Sequence, residues 1–427
     1  MKFTKMSLVA ALLIGSSAFA LDNVKVSGDA DLYYSTTDAG SNTMFDKDAS
    51  AADTAVNLNL TADLFANDLV SVSAGAGYSV LSTLGLEQNL VSSVWGGSHA
   101  ITGNTSSRGA YVNTASWMNE AWLAATTGKT TAKVGRMALD TPLAFTETWS
   151  AEENTFEAAV LVNQDIPNTT LVGAYVGNGN GTENLAGRPA QGPVATAAVV
   201  NQDGAFDTYG KSGAYAAGII NNSYAPLTAQ AWYYDVVQVA TAYWLQADLD
   251  ASSLGVKGLT LGAQYCGMDS AASGSKTDSV YALRVGYEMK DMFAASVAYS
   301  QTNDDGTIGY AGFNTATAAG TAQSKLYTEA WWNYGYVTKK DTTAWNVTVE
   351  GKVADVDLGA YYTQSNQGTS KGAKDIDMKE FTFTAGKSFG PLDATLAYIY
   401  TDADDLNTKD GKGRDFNTIQ AYLTLNF

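Results

Sequence analysis

The charged side chains of this sequence fall at alternate positions of segments in which apolar and polar residues take turns. In "VKVSGDADLYYS", Asp29 and Asp31 share one side with Lys25, while apolar residues occupy the other side. Four more acidic residues hold the same kind of position in later segments: Glu157, Glu288, Glu350 and Glu380. Such rows of carboxylates can attract and concentrate cations, which is electrostatic rather than covalent chemistry.

Two further charges lie in less regular segments, Glu120 in "NEAWLAATT" and Lys133 in "TAKVGRM". If these segments cross a membrane, a charge facing lipid at mid-depth costs about 2–4 kcal/mol for Lys or Arg and somewhat less for acids. Both side chains are therefore expected to face inward. With Arg284 on the polar side of its own segment, seven acids then oppose three bases, and this balance predicts a preference for cations.

The sequence offers little for catalysis. His99 is the only histidine and Cys266 the only cysteine, so no Cys/His metal cluster exists and no oriented base for a nucleophile is evident. The glycine-rich "GNGNG" at 177–181 lacks the Lys and Ser/Thr of a phosphate-binding loop. A formal charge of −18 also argues against nucleic acid as a partner. We expect neither an enzyme nor a nucleic-acid-binding protein.

The first twenty residues, "MKFTKMSLVAALLIGSSAFA", combine a basic start, a short apolar run and a small-x-small end. This pattern predicts a secretory signal peptide at 1–20 and a single mature domain at 21–427. The alternative, an N-terminal membrane anchor, is disfavoured because the apolar run is too short to span a bilayer as a helix.

The alternation recurs along most of the chain, for example in "AVNLNLTADL", "VSVSAGAGYSV" and "LDATLAYIY". A period of two places alternate residues on opposite faces of a β-strand. Many such strands in an exported chain predict an all-β, transmembrane antiparallel β-barrel with an apolar outer wall. A soluble β-sandwich is the alternative, but tyrosines near the segment ends favour the interfacial girdles of a barrel.

Connections between these segments alternate between short and long, as expected for short periplasmic turns and long extracellular loops. Counting "LYTEAWWNYGYV" as a strand gives nineteen and breaks the alternation, whereas one long loop over about 301–341 gives eighteen. We therefore predict eighteen strands, with sixteen and twenty as alternatives. The final "NTIQAYLTLNF" is expected to close the barrel, its apolar residues through Phe427 facing lipid.

At this point the sequence resembles a known group, the epsilon-proteobacterial outer-membrane porins related to the Campylobacter-type major porin and, more distantly, to OprD-type channels. The likeness is carried by residues 133–181 ("KVGRMALDTPLAFTETWSAEENTFEAAVLVNQDIPNTTLVGAYVGNGNG"), "LYTEAWWNYGYV", "FGPLDATLAYIY" and "YLTLNF". The resemblance implies an eighteen-stranded barrel, often a homotrimer, in which loops 3 and 7 constrict the pore. It also implies assembly through the final strand ending in Phe427. The chain lacks the run of lumen arginines that would make an OprD-like basic ladder.

Loops 3 and 7 would be residues 140–154 and about 301–341. Loop 3, "DTPLAFTETWSAEEN", contains acidic residues and no basic one: Asp140, Glu147, Glu152 and Glu153. Folded into the lumen, these acids would face Arg136 and Arg284 and set a transverse field at the constriction. The alternative is an acidic loop that folds outward.

The predicted function is a water-filled, cation-preferring outer-membrane porin for passive diffusion of small hydrophilic solutes and ions. A substrate-selective channel and a structural or adhesive barrel with a plugged lumen are the alternatives. No cofactor is required, although the resemblance makes Ca²⁺ plausible in the pore. The acidic outer segments, "TNDDGT" and "TDADDLNTKDGKGRD", are expected to be solvated or bridged by divalent ions to lipopolysaccharide in the surrounding membrane.

Overall fold

A computed structural model of the chain describes residues 22–82, 84–86, 90–91, 101–102, 111–112, 115–181, 204–316, 322–368, 376–406 and 415–427. The expected signal peptide at 1–20 and His99 lie outside these residues. Within them, eighteen long strands form one antiparallel sheet that closes on itself.

The barrel strands are β1 (Asp22–Thr37), β2 (Ser50–Ala66), β3 (Ser71–Ser82), β4 (Ala115–Thr127), β5 (Thr130–Met137), β6 (Phe156–Asn163), β7 (Thr169–Gly179), β8 (Ala214–Asn221), β9 (Leu227–Val236), β10 (Ala240–Asp250), β11 (Leu259–Ser270), β12 (Asp278–Met289), β13 (Phe293–Thr302), β14 (Thr342–Val353), β15 (Val356–Gln367), β16 (Ile376–Phe389), β17 (Leu392–Ala403) and β18 (Asp415–Asn426). The expected number of strands is confirmed. The short strands Ile101–Thr102 and Tyr111–Val112 pair with each other, and Asp207–Thr208 extends the sheet beside β7. Short 3₁₀ helices cover Lys47–Ala49, Ala251–Leu254 and Tyr334–Thr338.

The barrel closes where β18 pairs with β1, in a register that places Asp29 opposite Asn426 and Tyr34 opposite Ala421. Beyond the strand end, Gly28 and Phe427 exchange two backbone hydrogen bonds of 2.7 and 2.9 Å. The Phe427 ring lies directly over Gly28, because a Cβ at that glycine would be 2.8 Å from ring atoms. The expected pairing of the first and last strands is confirmed.

The outward faces of the strands carry an apolar belt between two aromatic rims. On β12, Tyr281, Leu283, Val285 and Tyr287 point outward in succession, with 53% of Leu283 and 55% of Val285 exposed. Neighbouring rings continue the outer rim, since the ring centroids of Tyr281 and Tyr299 are 6.0 Å apart. Large apolar side chains left open to the surroundings in this arrangement are typical of a wall that contacts lipid. No helix among the described residues is long and apolar enough to cross a bilayer.

The strand connections alternate in length with one exception. One rim has eight turns of two to eight residues, and the other rim has the long loops, including residues 303–341, which form a loop as the sequence predicted. The exception is the hairpin between β9 and β10, whose outer connection is only Val237–Gln238–Val239. Gln238 adopts a positive φ of 62°, and the Val239 N–H donates to the Val236 carbonyl at 2.8 Å. The outer rim is therefore shorter at this hairpin than where the long loops extend from it.

Candidate functional site in the barrel lumen

Polar and acidic side chains line the inner face of the first two strands. The Asn57 amide on β2 donates to Asp29 Oδ1 at 2.8 Å, and Asp31 accepts from the Thr424 hydroxyl at 2.5 Å. The same amide donates to the carbonyl of Ala151 at 3.1 Å. Because Ala151 belongs to an outer loop, this bond shows that the loop reaches down onto the acidic wall.

That loop, called L3 here, comprises residues 138–155. It starts as a tight hairpin in which Thr146 N–H donates to the Leu139 carbonyl at 2.8 Å. Its tip residue Leu143 is buried, and its N–H lies 3.4 Å from the Tyr234 hydroxyl on the inner face of β9. Since the other half of L3 contacts Asn57 on β2, the loop extends between two different walls of the lumen.

A second loop, L7 (residues 303–341, described over 303–316 and 322–341), also has its described residues inside the barrel. Its apolar side chains pack on the inner face of β9–β12 in one buried cluster: Ala311, Phe313, Leu326 and Val337 from the loop, and Trp232, Trp244, Cys266 and Ala282 from the wall. Burial of apolar area on this scale stabilises a docked loop. The part of the inner wall that contacts this cluster is therefore apolar, because the loop covers it.

A glycine on β11 receives a side chain of L7. A Cβ at Gly262 would lie 2.6 Å from the ring and hydroxyl of Tyr327, so only glycine leaves room for this ring. The Tyr327 hydroxyl donates to Asp248 Oδ1 at 2.6 Å, and the Arg284 guanidinium lies 4.2 Å from the ring centroid. Arg284 also contacts Asp248 at 3.1 Å. The cluster formed by these four residues fixes the middle of L7.

Glu380 on β16 fixes the following part of L7. It is buried and accepts from the N–H groups of Trp332 at 3.0 Å and Asn333 at 2.7 Å. Glu380 also accepts a 2.8 Å hydrogen bond from the Asn333 side-chain amide. The sequence predicted a lumen carboxylate available to ions here. That interpretation is wrong, because these loop groups use both carboxylate oxygens.

L3 and L7 are joined to each other by the Glu147 carboxylate. Its Oε1 accepts from the Asn314 side-chain amide and from the Gln323 N–H, each at 3.0 Å, and its Oε2 accepts from the Trp149 indole at 2.9 Å. Asn314 also donates to the Phe145 carbonyl at 2.9 Å. Glu147 was expected to face basic side chains across an eyelet. Instead it is buried, and amide and indole N–H groups surround its carboxylate.

The outer end of L7 is tied to two neighbouring loops. Lys276 of the preceding loop forms a 2.8 Å ion pair with Asp305, and this partner raises the pKa of Lys276 and lowers that of Asp305. Asp405 accepts a short hydrogen bond from Tyr336 and lies 3.6 Å from Lys339. Burial raises the pKa of Tyr336 and lowers that of Lys339, although Asp405 opposes the second shift.

Glu120 and Lys133 face the lumen, as their sequence positions led us to expect. The Glu120 carboxylate accepts from the Trp122 indole at 2.9 Å, and Lys133 Nζ lies 4.0 Å from the centroid of the same ring. Gly75 provides the space for this ring, because a Cβ there would lie 2.4 Å from it. The aromatic ring thus holds an acid and a base near each other on the inner wall.

Arg136 and Glu157 do not line the lumen. Their neighbours Met137 and Phe156 point inward and are buried, so strand alternation turns Arg136 and Glu157 outward. The two form an ion pair at 2.8 Å, with 31% and 33% of their side chains exposed. The sequence prediction was wrong because both faces of β6 are largely apolar, and the inner one packs on Tyr209 of an outer loop.

The remaining predicted residues are dispersed. Asp140 contacts Lys325 of L7, and Glu152 is buried whereas Glu153 is half-buried in L3. Glu288 is exposed on the inner face of β12, one residue before the periplasmic end of that strand. In the structure, L3 and its acidic residues lie inside the lumen, but these acids do not face Arg136.

Several functional contacts were not found from the sequence: Asp248, Asn314, Lys325 and Tyr327. Lys325 directly precedes "LYTEAWWNYGYV" and Tyr327 is its second residue. The only signal for their contacts was the inward loop that the resemblance implied. Among the described residues, no group of three His, Cys, Asp or Glu side chains is placed to hold a metal ion. Asp410, one of the acidic outer-loop residues, lies outside the described range.

A closed barrel with an apolar belt, aromatic rims and inward loops defines the class of outer-membrane channels. Residues 190–424 match the family model described as Gram-negative porin. The chain therefore belongs to the Gram-negative porin family, is located in the outer membrane, and is not an enzyme.

Solved structures agree with this assignment at the level of fold. OpdK of Pseudomonas aeruginosa, solved with vanillate, is 12% identical, with a TM-score of 0.70 over 94% of this chain and 98% of that one. OccAB1 of Acinetobacter baumannii is 13% identical, with a TM-score of 0.73 over 96% and 98% of the two chains. No curated protein sequence matches the chain.

Proposed function

We propose that this channel carries small hydrophilic solutes and ions by passive diffusion, and that it prefers cations. L3 and L7 narrow the water-filled passage, because both loops extend from the outer rim onto the inner wall. The observation that supports this most directly is the joint at Glu147, which holds the two loops together inside the barrel.

The balance of charge supports the cation preference. Among the described lumen residues, bases lie beside carboxylates: Lys133 near Glu120, Arg284 beside Asp248, Lys325 beside Asp140, and Lys352 beside Asp357. Lys25 shares the inner face of β1 with Asp29 and Asp31. Other inward carboxylates add to these acids: Asp29, Asp31, Glu153, Glu329 and Glu350. Wall charges act over roughly 8 Å at physiological salt, so a passage narrowed by two loops lies within their field.

Charge variants in planar bilayers test the proposal. Glu120→Gln and Glu153→Gln each remove a lumen charge and should lower the cation-to-anion permeability ratio measured from reversal potentials. Glu157→Gln is the matched control, because this acid lies on the outward face of the adjacent wall and should leave the ratio unchanged. If all three variants keep the wild-type ratio, the lumen acids do not set selectivity.

A substrate-selective channel is the second candidate. The solved structure of OpdK contains vanillate, an aromatic carboxylate. Here Arg284 stacks on Tyr327, and its Nε atom has no hydrogen-bond acceptor among the described residues. Within the part of the chain that the structure describes, Arg284 is the one arginine of the lumen and forms no basic ladder, so we favour general diffusion. Saturable flux or current block by one class of solute would instead support selectivity, and the absence of conductance would support a plugged adhesive barrel.

We further propose the other properties that the resemblance implies. These are kinship with the Campylobacter-type porins of epsilon-proteobacteria, a homotrimer, contact with lipopolysaccharide, and assembly through the strand that ends at Phe427. A cleaved leader at 1–20 and a mature domain at 21–427 complete the proposal. No cofactor is required, and equilibrium dialysis of the purified protein with Ca²⁺ tests for a calcium site.

A further inference from the structure

Aromatic rings line the lumen where L3 and L7 meet. Trp149 of L3 meets Trp332 of L7 edge to face, with ring centroids 5.6 Å apart. Trp331 of L7 lies on Tyr361 of β15, with centroids 5.0 Å apart and ring planes inclined by 32°. Tyr422 of β18 packs against the same buried cluster as Trp149 and Trp332. These five residues are called the aromatic strip below.

Each ring of the aromatic strip is only partly buried, although it lies inside the barrel. The inner-wall residues next to the rings are fully buried, both Thr382, which pairs with Tyr361, and Gln420, which accepts from the Tyr422 hydroxyl at 2.6 Å. The rings therefore contribute more of the surface that faces the passage than these wall residues do. Clustered apolar side chains that stay in contact with water often mark a binding surface.

Carboxylates lie at both ends of the aromatic strip. The Tyr361 hydroxyl donates to Glu350 Oε1 at 2.7 Å, which places one acid beside the first ring. At the other end, the rings of Tyr422 and Tyr33 are 4.9 Å apart, and Asp31 lies two residues from Tyr33 on the same inner face of β1. The strip therefore combines aromatic faces with negative charge.

Other rings of the lumen hold the chain's own cations. Lys133 Nζ lies 4.0 Å from the centroid of Trp122, and the Arg284 guanidinium lies 4.2 Å from that of Tyr327. No Lys or Arg of the described chain lies over the ring of Trp331 in this way. The face of an aromatic ring attracts cations, and indole does so most strongly. At Trp331 a ligand can supply the cation that the chain does not.

We propose that the aromatic strip binds organic ammonium cations that carry no carboxylate, such as quaternary ammonium compounds. This inference rests on the proposed cation-preferring channel and names a class of solute for it. An alkylammonium group combines charge with apolar surface, so it gains from the indole faces and from carboxylates such as Glu350. A solute with a carboxylate is repelled by the same acids, and the nearby base Lys325 is already paired with Asp140. A neutral sugar stacks on such rings but gains nothing from the charge.

Block of the potassium current by choline tests the inference. We expect choline to reduce the single-channel K⁺ current in a saturable manner, with a voltage dependence that arises because the membrane field acts on a charged blocker. Trp331→Leu should weaken this block about tenfold. Trp331→Phe should restore part of it, because the phenyl ring keeps an aromatic face. The control Trp345→Leu alters an exposed ring on the outward face of β14 and should be blocked like wild type.

Choline that crosses the channel without saturation would overturn the inference, and so would an unchanged block in Trp331→Leu. Stronger block by maltose or by benzoate would also overturn it, because the strip would then serve sugars or carboxylates. Isothermal titration calorimetry of purified protein with choline separates the inference from the proposed function. Binding that Trp331→Leu abolishes, in a protein that does not conduct, would support the strip and contradict the channel. Cation-preferring conductance without choline binding would do the reverse.

Discussion

The side-chain amide of Asn314 lies 3.0 Å from Glu147 Oε1, joining two loops 167 residues apart in the sequence. The same amide group donates to the Phe145 carbonyl, and Asn314 Oδ1 accepts from the Phe145 N–H at 3.1 Å. A single buried side chain thus bridges the backbone and the carboxylate of L3. We therefore expect the shape of the passage to depend on this bridge.

Asn314→Ala should widen the passage and make its current noisier. Removing the amide leaves the buried Glu147 and Phe145 groups short of partners, which costs about 1–3 kcal/mol. Single-channel conductance should rise, and the thermal midpoint should fall. Asn366→Ala, which removes an exposed amide from β15, is the control and should change neither quantity. Equal conductance in both variants would show that the bridge does not limit the pore.

Gly262→Ala should loosen L7. The added methyl group would occupy the position of the Tyr327 ring, whereas Gly173→Ala adds a methyl group in open space and serves as control. Cys266 reports the change, because it is buried beneath L7 beside Phe313 and Leu326. We expect thiol-reactive maleimide to label Cys266 about tenfold faster in Gly262→Ala, equivalent to about 1.4 kcal/mol of docking free energy. Unchanged labelling would argue against this glycine as the docking site.

Acidification should release the clasp between Asp305 and Lys276. The hydrogen bond from Lys276 lowers the pKa of Asp305 below its ordinary value of 3.8, so the ionised form is favoured in the folded state. Its contribution to stability is present above pH 3.8 and is lost as pH falls through the lowered pKa. The thermal midpoints of wild type and Asp305→Asn should therefore differ slightly at neutral pH and converge in stronger acid. A difference that persists in acid would exclude this clasp as its source.

Gly28→Val should impair closure of the barrel. A Cβ there would lie 2.4 Å from the Asn57 carbonyl and 2.8 Å from the Phe427 ring, so β1 cannot keep both neighbours. We expect a smaller folded fraction on heat-modifiability gels after refolding into detergent. Gly173→Val, also on the outward face but in open space, should refold like wild type. Normal refolding of Gly28→Val would mean that the Phe427 contact is dispensable.

The barrel itself could be predicted from the sequence because lipid and water impose a period of two on each strand. In a strand that crosses the membrane, the alternation of Leu58 and Leu60 with Asn57 and Asn59 means that the leucines face lipid and the asparagines face the lumen. The alternation of short and long connections then led us to exclude residues 326–337 from the strands. In the structure these residues belong to L7. The short outer turn at Gln238 departs from the expected alternation of short and long connections, and its flanking residues carry no glycine or proline signal.

The lumen could not be predicted to the same depth, because inward loops alter the rules for the inner wall. Where L7 covers β9–β12, inward residues such as Trp244 are apolar, so polarity no longer identifies the lumen face. Glu380 looked like a pore carboxylate and proved to hold the backbone of L7. Contacts such as Asn314 with Glu147 join distant segments, and no local pattern in the sequence indicates them.

The reversal potential of the purified wild-type channel in a planar bilayer, measured across a KCl gradient, tests the central claim most directly. We predict discrete single-channel steps and a potential whose sign shows K⁺ crossing more readily than Cl⁻, with the preference declining as salt screens the lumen acids. Steps with equal permeability, or with Cl⁻ favoured, would contradict a passage whose field is set by inward carboxylates.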